Sequence, residues 1–180
     1  DGSETSFMFA DVRHKLHACC HGAHAMIEGL RNLVAAHDIT AQNLAALSIR
    51  VNPRWLKVCD IKAPRTGLEV KFSYVFLAAM VLHHIDTAAY QSYDDSICGN
   101  AGLIATASKI TVIGDEAISD GAVNVSADTQ TGVRHTTDFD LMDPIDLSVL
   151  GPRLVAKASV LIGPARAEKI WESMDDLDSM

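Results

Sequence analysis

Apolar positions along the chain fall into two periods. Met26, Ile27, Leu30, Leu33 and Val34 recur at three- and four-residue steps. This predicts an amphipathic helix over residues 23–37, stopped at Asp38. Leu47-Ser-Ile-Arg-Val51 alternates instead, which predicts a half-buried strand ended by Pro53. Pro64 to Gly67 reads as a turn, and residues 69–84 are helical in pattern and apolar enough for a buried helix. A further helix is expected over 96–107, weakened by Gly99 and Gly102. Strands are expected at 109–113, 122–127 and 133–137, the last two joined by a hairpin loop at 128–132. Residues 144–162 read as a helix started by Asp146 or Ser148 and interrupted early by Gly151 and Pro152. Gly163-Pro164 is a break, a last helix covers 165–174, and the acidic tail Asp175, Asp176 and Asp178 frays. Strands grouped after helices predict an α+β domain with an antiparallel sheet of about four strands.

The chain has 180 residues, 48% of them apolar and 21% charged, which suits a folded globular unit. Its 15 basic and 23 acidic residues give a net charge of −8. That argues against a nucleic-acid partner, which needs a basic face for phosphates. No apolar run reaches the roughly 18 residues of a membrane span. The chain opens on Asp1 with no visible signal peptide. Cys19, Cys20, Cys59 and Cys98 are too sparse for a disulfide scaffold. Reduced thiols and a cytoplasmic location are the expectation.

The densest chemistry lies in His14-Lys-Leu-His17-Ala-Cys-Cys20-His21-Gly-Ala-His24. On a helix the four histidines would share roughly 80° of arc, an arrangement open to zinc, iron or copper. The segment has no acidic residue and Gly22 weakens a helix, so surface histidines, or a substrate pocket using Lys15, are the competing readings. A second stretch runs from Arg65 through Lys71 and Ser73 into Phe76. If Lys71 and Ser73 open a helix, free N–H groups, an ammonium and a hydroxyl would together suit a carboxylate. Alternatively Ser73 is a helix cap and Lys71 is solvated.

Two motifs together carry a family resemblance. Lys15-x-x-x-Cys19-Cys20-x-x-x-His24 resembles the Lys, Cys-Cys and His stretch of the MmgE/PrpD family. Pro64-Arg-Thr-Gly-Leu-Glu-Val-Lys-Phe-Ser73 is similar to its "P-x-T-G-L-E-A-K-F-S" element, and Asp143-Pro to Leu147-Ser148 to its return into the last helices. Family members include 2-methylcitrate dehydratase, cis-aconitate decarboxylase and an iminodisuccinate epimerase, which act on small di- and tricarboxylates without a required metal. Their chains pair a large helical domain with a smaller α+β lid, and the active site lies between. The resemblance implies that residues 1–143 form the lid and 144–180 are C-terminal helices that rejoin a helical domain outside this chain. It also implies a homodimer and no cofactor.

By the same resemblance, Lys15 matches the active-site lysine and His24 the motif's histidine. Cys20 stands where cis-aconitate decarboxylase has a second histidine, and Phe76 where it has a tyrosine. Both departures leave dehydratase or epimerase chemistry open. The expected function is part of a lyase or isomerase that removes a proton beside a carboxylate. Lys15, His24 and Cys20 are the catalytic candidates. Lys71, Ser73, Arg65 and Phe76 are the substrate-binding candidates. A metal-binding protein on His14, His17, His21 and His24, or a non-catalytic lid or dimerisation module, are the alternatives.

Overall fold

A computed structural model describes residues 13–175, so Asp176 and Asp178 of the acidic tail lie outside the described residues. The fold is α+β. In chain order the elements are α1 (His24–His37), β1 (Leu44–Val51), α2 (Leu56–Cys59), α3 (Gly67–Val70), α4 (Tyr74–Leu82) and α5 (Ala101–Ala107). They continue with β2 (Ile110–Gly114), β3 (Ala122–Thr129), β4 (Arg134–Asp140), α6 (Leu147–Ile162) and α7 (Pro164–Asp175). Short 3-10 turns fill several of the connections.

The four strands form one sheet in the order β2-β1-β3-β4. The predicted hairpin pairs β3 with β4 antiparallel, and β3 is also antiparallel to β1. The sheet is nevertheless mixed, because β1 and β2 run parallel, with Leu47 opposite Ile110. The connection allows this: α2 to α5 fill a long crossover between the two strands, as parallel pairing requires and a short hairpin could not supply.

Leu44, Leu47, Ile49 and Val51 of β1 and Val123, Val125 and Ala127 of β3 turn into one core with α1 and α4. Helix α1 crosses β3 and β4 at Gly29, where a Cβ would come within 3.2 Å of Phe139 and of Val123. All nine residues of α4 are buried, as its unbroken apolar run predicts.

Two predicted helices are shorter than expected. The stretch 69–84 divides into α3 and α4, because Ser73 leaves helical geometry to cap α4 and makes an isolated bridge to Asp60. The stretch 96–107 divides at Asn100, whose side chain accepts from Gly102 and Leu103 N–H and starts α5. Helix α6 starts where Asp146 accepts from Ser148 N–H at 2.8 Å, and Pro152 does not interrupt it. Gly151 has no side chain because the Trp171 ring of α7 lies where a Cβ would point, at 2.8 Å. Among the described residues no helix is long and apolar enough to cross a membrane.

Candidate active site

Residues 13–20 are not helical; they run as an extended, bending strap over the mouth of the core. Backbone hydrogen bonds hold it on two sides, Ala18 N to Thr87 O at 2.9 Å and Cys20 N to Lys71 O at 3.0 Å. His14, His17, His21 and His24 therefore do not share one helical face. Among the described residues no group of three or more His, Cys, Asp or Glu side chains is arranged to hold a metal ion.

His17 is buried in a polar chain. Its Nδ1 lies 2.7 Å from the Thr87 hydroxyl and its Nε2 lies 2.7 Å from Glu28 Oε1. Arg153 of α6 donates to the same carboxylate oxygen at 2.6 Å. Burial by itself would raise the Glu28 carboxyl, but the bonds from His17 and Arg153 outweigh it and hold it at about 2. His17 is pushed the other way, downward by burial, so at neutral pH it donates Nε2–H to Glu28 and accepts from Thr87 at Nδ1. The true ion pair is Glu28 with Arg153, and it ties α6 to α1.

His24 lies behind the strap with both ring nitrogens engaged. Nδ1 donates to Cys20 O at 3.1 Å, and Nε2 accepts from His17 N–H at 3.2 Å. No lone pair is left for proton transfer, so in this arrangement His24 fixes the shape of the strap. Burial first, then the charges of His17, His21 and Lys15, push its ring down to about 3. The unfolded chain binds a proton on this ring below its ordinary 6.5 while the folded one does not. Stability therefore falls as pH drops through that window. Between pH 7 and pH 5 the loss expected from His24 is on the order of 2 kcal/mol. Urea unfolding at the two values measures it, with His24→Gln flattening the slope; equal stability at both would contradict this assignment.

The sequence candidates divide into two groups. Lys15, Cys20 and Lys71 come together with the strap. Lys15 is exposed, and its charge reaches Cys19, His21, His24 and Lys157. Lys71 holds its ammonium 5.0 Å from the centre of the Tyr93 ring. The Tyr93 hydroxyl donates to Thr87 O at 2.9 Å and lies beside the Cys19 thiol, which burial pushes up to about 12. Cys20 is half-buried, and its thiol meets that of Cys59.

Ser73, Phe76 and Arg65 are occupied differently. Ser73 is fully buried, and its hydroxyl accepts from Phe76 N–H as the cap of α4, so it presents no group to a ligand. Phe76 is 4% exposed and borders a different cavity with Lys62, Pro64 and Cys98. Arg65 is exposed, and its described contact is backbone N–H to the Glu69 carboxylate.

A cavity of about 290 Å³ opens beside the strap, between α1, β4 and the connection into α6. Phe139, Leu141, Ile145 and Leu150 give it an apolar wall, while Arg13, His14, His21 and Glu28 bring polar groups to it. The Arg13 guanidinium donates to Leu141 O at 3.0 Å. A partly apolar cleft with a few convergent polar groups is the usual form of a small-molecule site.

Compared with known protein families, residues 17–142 match the MmgE/PrpD C-terminal domain. The chain belongs to the MmgE/PrpD family. No curated protein matches it. The MmgE/PrpD motif around Thr66 has a structural reason here. Thr66 caps α3 by accepting from Glu69 N–H at 3.2 Å, while the Glu69 carboxylate reaches back past the cap to accept from Arg65 N–H. Gly67 fits under Tyr93 because it has no Cβ.

Sequence reasoning missed Lys157, whose ammonium donates to Ala88 O at 3.2 Å. Burial and the charges of Lys15 and Lys71 push it down, and the Cys19 and Asp86 charges oppose that. The signal was present: Arg153 and Lys157 are one turn apart, hence on one face of an otherwise apolar helix. The roles of Thr87 and Tyr93 had no comparable signal, since neither stands near the strap in sequence, and the position of Glu28, one turn after His24, does not show that His17 and Arg153 would share its carboxylate.

Proposed function

We propose that this chain supplies the cation-bearing part of an enzyme that removes a proton beside a carboxylate of a small di- or tricarboxylic acid, in the manner of a dehydratase. The observation that carries the reading is the grouping of Lys15, Lys71 and Lys157 around the strap. Among the described residues no carboxylate forms an ion pair with any of them, in a chain of net charge −8. Like charges repel, so such a group is stabilised by an anion. As a carbon beside a carboxylate loses its proton, negative charge builds on the carboxylate oxygens, and fixed cations at a water-poor site lower that barrier. Lys15 is the candidate for this role, and Lys71 and Lys157 for holding further carboxylates.

The site is one-sided in this reading. The strap faces outward, and a helical domain elsewhere in the longer protein closes it. Exposed Val160, Leu161 and Ile162 at the end of α6, with Ile170 and Met174 on α7, are the apolar surface that would meet that domain. A homodimer belongs to the same proposal.

The experiment is dehydration by the full-length protein of a panel of hydroxy di- and tricarboxylates, 2-methylcitrate and citrate included, followed by ultraviolet absorbance of the new conjugated double bond. Product formation with at least one tricarboxylate is expected. A full-length protein that neither binds nor converts any member of the panel would favour a non-catalytic lid.

A further inference from the structure

Three histidines border the same cavity, His14 on the strap, His21 just after it and His24 at the start of α1, and their surroundings differ. His24 has spent both ring nitrogens on backbone partners. His21 has not. It begins the 3-10 turn that leads into α1, it is partly exposed, and it borders both the 290 Å³ cavity and the adjoining cleft beside Trp55. Its ring touches the His24 ring at 5.3 Å between centroids, and among the described residues neither of its nitrogens has a hydrogen-bond partner.

We propose that His21, an imidazole on the wall of this cavity with no hydrogen-bond partner among the described residues, is the residue that takes and returns the proton in the reaction. This rests on the carboxylate reading above and names the residue that performs its central step. One nitrogen of the neutral ring accepts the proton from the carbon beside the carboxylate, and the C–H bond breaks. That electron pair forms the carbon–carbon double bond as the C–O bond to the hydroxyl breaks. The departing hydroxide takes the proton from the imidazolium and leaves as water. The ring is neutral again and no other reactant is consumed. A free lone pair within reach of a bound acid is the first requirement of a general base; His14 and His21 both meet it, and His21 is the one held partly buried in the cavity wall against the His24 ring, whereas His14 is exposed.

The charges around it favour the neutral form. Burial, then Lys15, then Arg13, push His21 below its ordinary value. His24 packs against it from α1 as a neutral ring, and Lys15 belongs to its own strap. His14, Glu28 and Asp143 line the same cavity, and Asp120 borders the second cleft. Glu28 is committed to Arg153, so it does not compete for the proton. The activity should therefore lose its base below pH 6.5, with an acid limb belonging to His21.

The experiment uses the full-length protein and measures kcat and KM against pH for wild type, His21→Gln and His24→Gln, with unfolding midpoints for each. His21→Ala is assayed with and without added imidazole. The expected result for His21→Gln is a fall in kcat of about 10²- to 10⁴-fold. The acid limb should disappear, KM should change little and the unfolding midpoint should hold. Imidazole should restore part of the activity of His21→Ala. His24→Gln should lower the midpoint and keep the limb. A His21→Gln enzyme within threefold of wild type overturns the proposal. So does a large loss with the acid limb intact and no rescue by imidazole, or a variant that no longer folds, since a ring without such a partner should be dispensable to the fold. A wild-type protein inactive on every carboxylate is a different failure, visible before any variant is made, and it removes the carboxylate reading itself.

Discussion

Gly67→Ala is expected to destabilise the domain by at least about 3 kcal/mol, placing it among the rare large single-site effects. A Cβ on residue 67 would sit 1.6 Å from the carbonyl oxygen of Tyr93 and 2.5 Å from its carbon. Both are backbone atoms, so no side-chain rotation relieves the overlap. The residue is also anchored: its N–H donates to Asp95 at 2.7 Å, and Thr66 and Glu69 box it in from either side. The 90–99 segment would have to lift, taking Tyr93 off Lys71 and Thr87 and releasing one wall of the strap. For a domain of this size the melting temperature should fall by roughly 10 °C. Gly99→Ala is the control, because nothing lies within 4 Å of its Cβ position. A Gly67→Ala protein within 1 kcal/mol of wild type in urea unfolding would show that the 67–93 contact is not built as described.

Lys15→Ala is expected to be the most damaging surface substitution for activity. The side chain is exposed and makes no ion pair among the described residues, so the fold should tolerate its loss. Its charge nevertheless depresses the rings of His21 and His24, the Cys19 thiol and the Lys157 ammonium. That reach over both the cavity and the lysine group is the position from which a cation could stabilise negative charge on a bound acid. Removing one such preorganised group costs about 10²- to 10³-fold in kcat where it has been tested in other enzymes. Lys71→Ala, whose ammonium leans on Tyr93, should weaken KM more than kcat if it holds a carboxylate distant from the reacting carbon.

Much of the fold was legible because its signals are local. The alternation of β1, the apolar run of α4 and the hairpin between β3 and β4 each lie within one short window of sequence. The parallel pairing of β1 with β2 was not legible, since it is made across a crossover of several short helices. The division at Ser73 was half legible. A serine there can cap a helix, and it does, which is the reading that competed with a carboxylate site. Lys15, Cys20 and Lys71 stand together as one group, although Lys71 is more than fifty residues from Lys15. Arg65 and Phe76 adjoin them in sequence pattern but not in hydrogen bonding. The distinction between His24 and His21 depends on where two ring nitrogens point. Spacing carries no record of that; it emerges only once the strap is held by Thr87 and Lys71.

Solvent deuterium wash-in is the most direct test of the central claim, because proton removal beside a carboxylate is the step that dehydration and epimerisation share. The full-length protein would be incubated in heavy water with a panel of di- and tricarboxylates. Deuterium at the carbon next to the carboxylate would be read by NMR, for wild type and for Lys15→Ala. The account predicts wash-in for at least one acid with wild type and a loss of about a hundredfold or more with Lys15→Ala. Wash-in that is absent for every acid, or unchanged when Lys15 is removed, would contradict it.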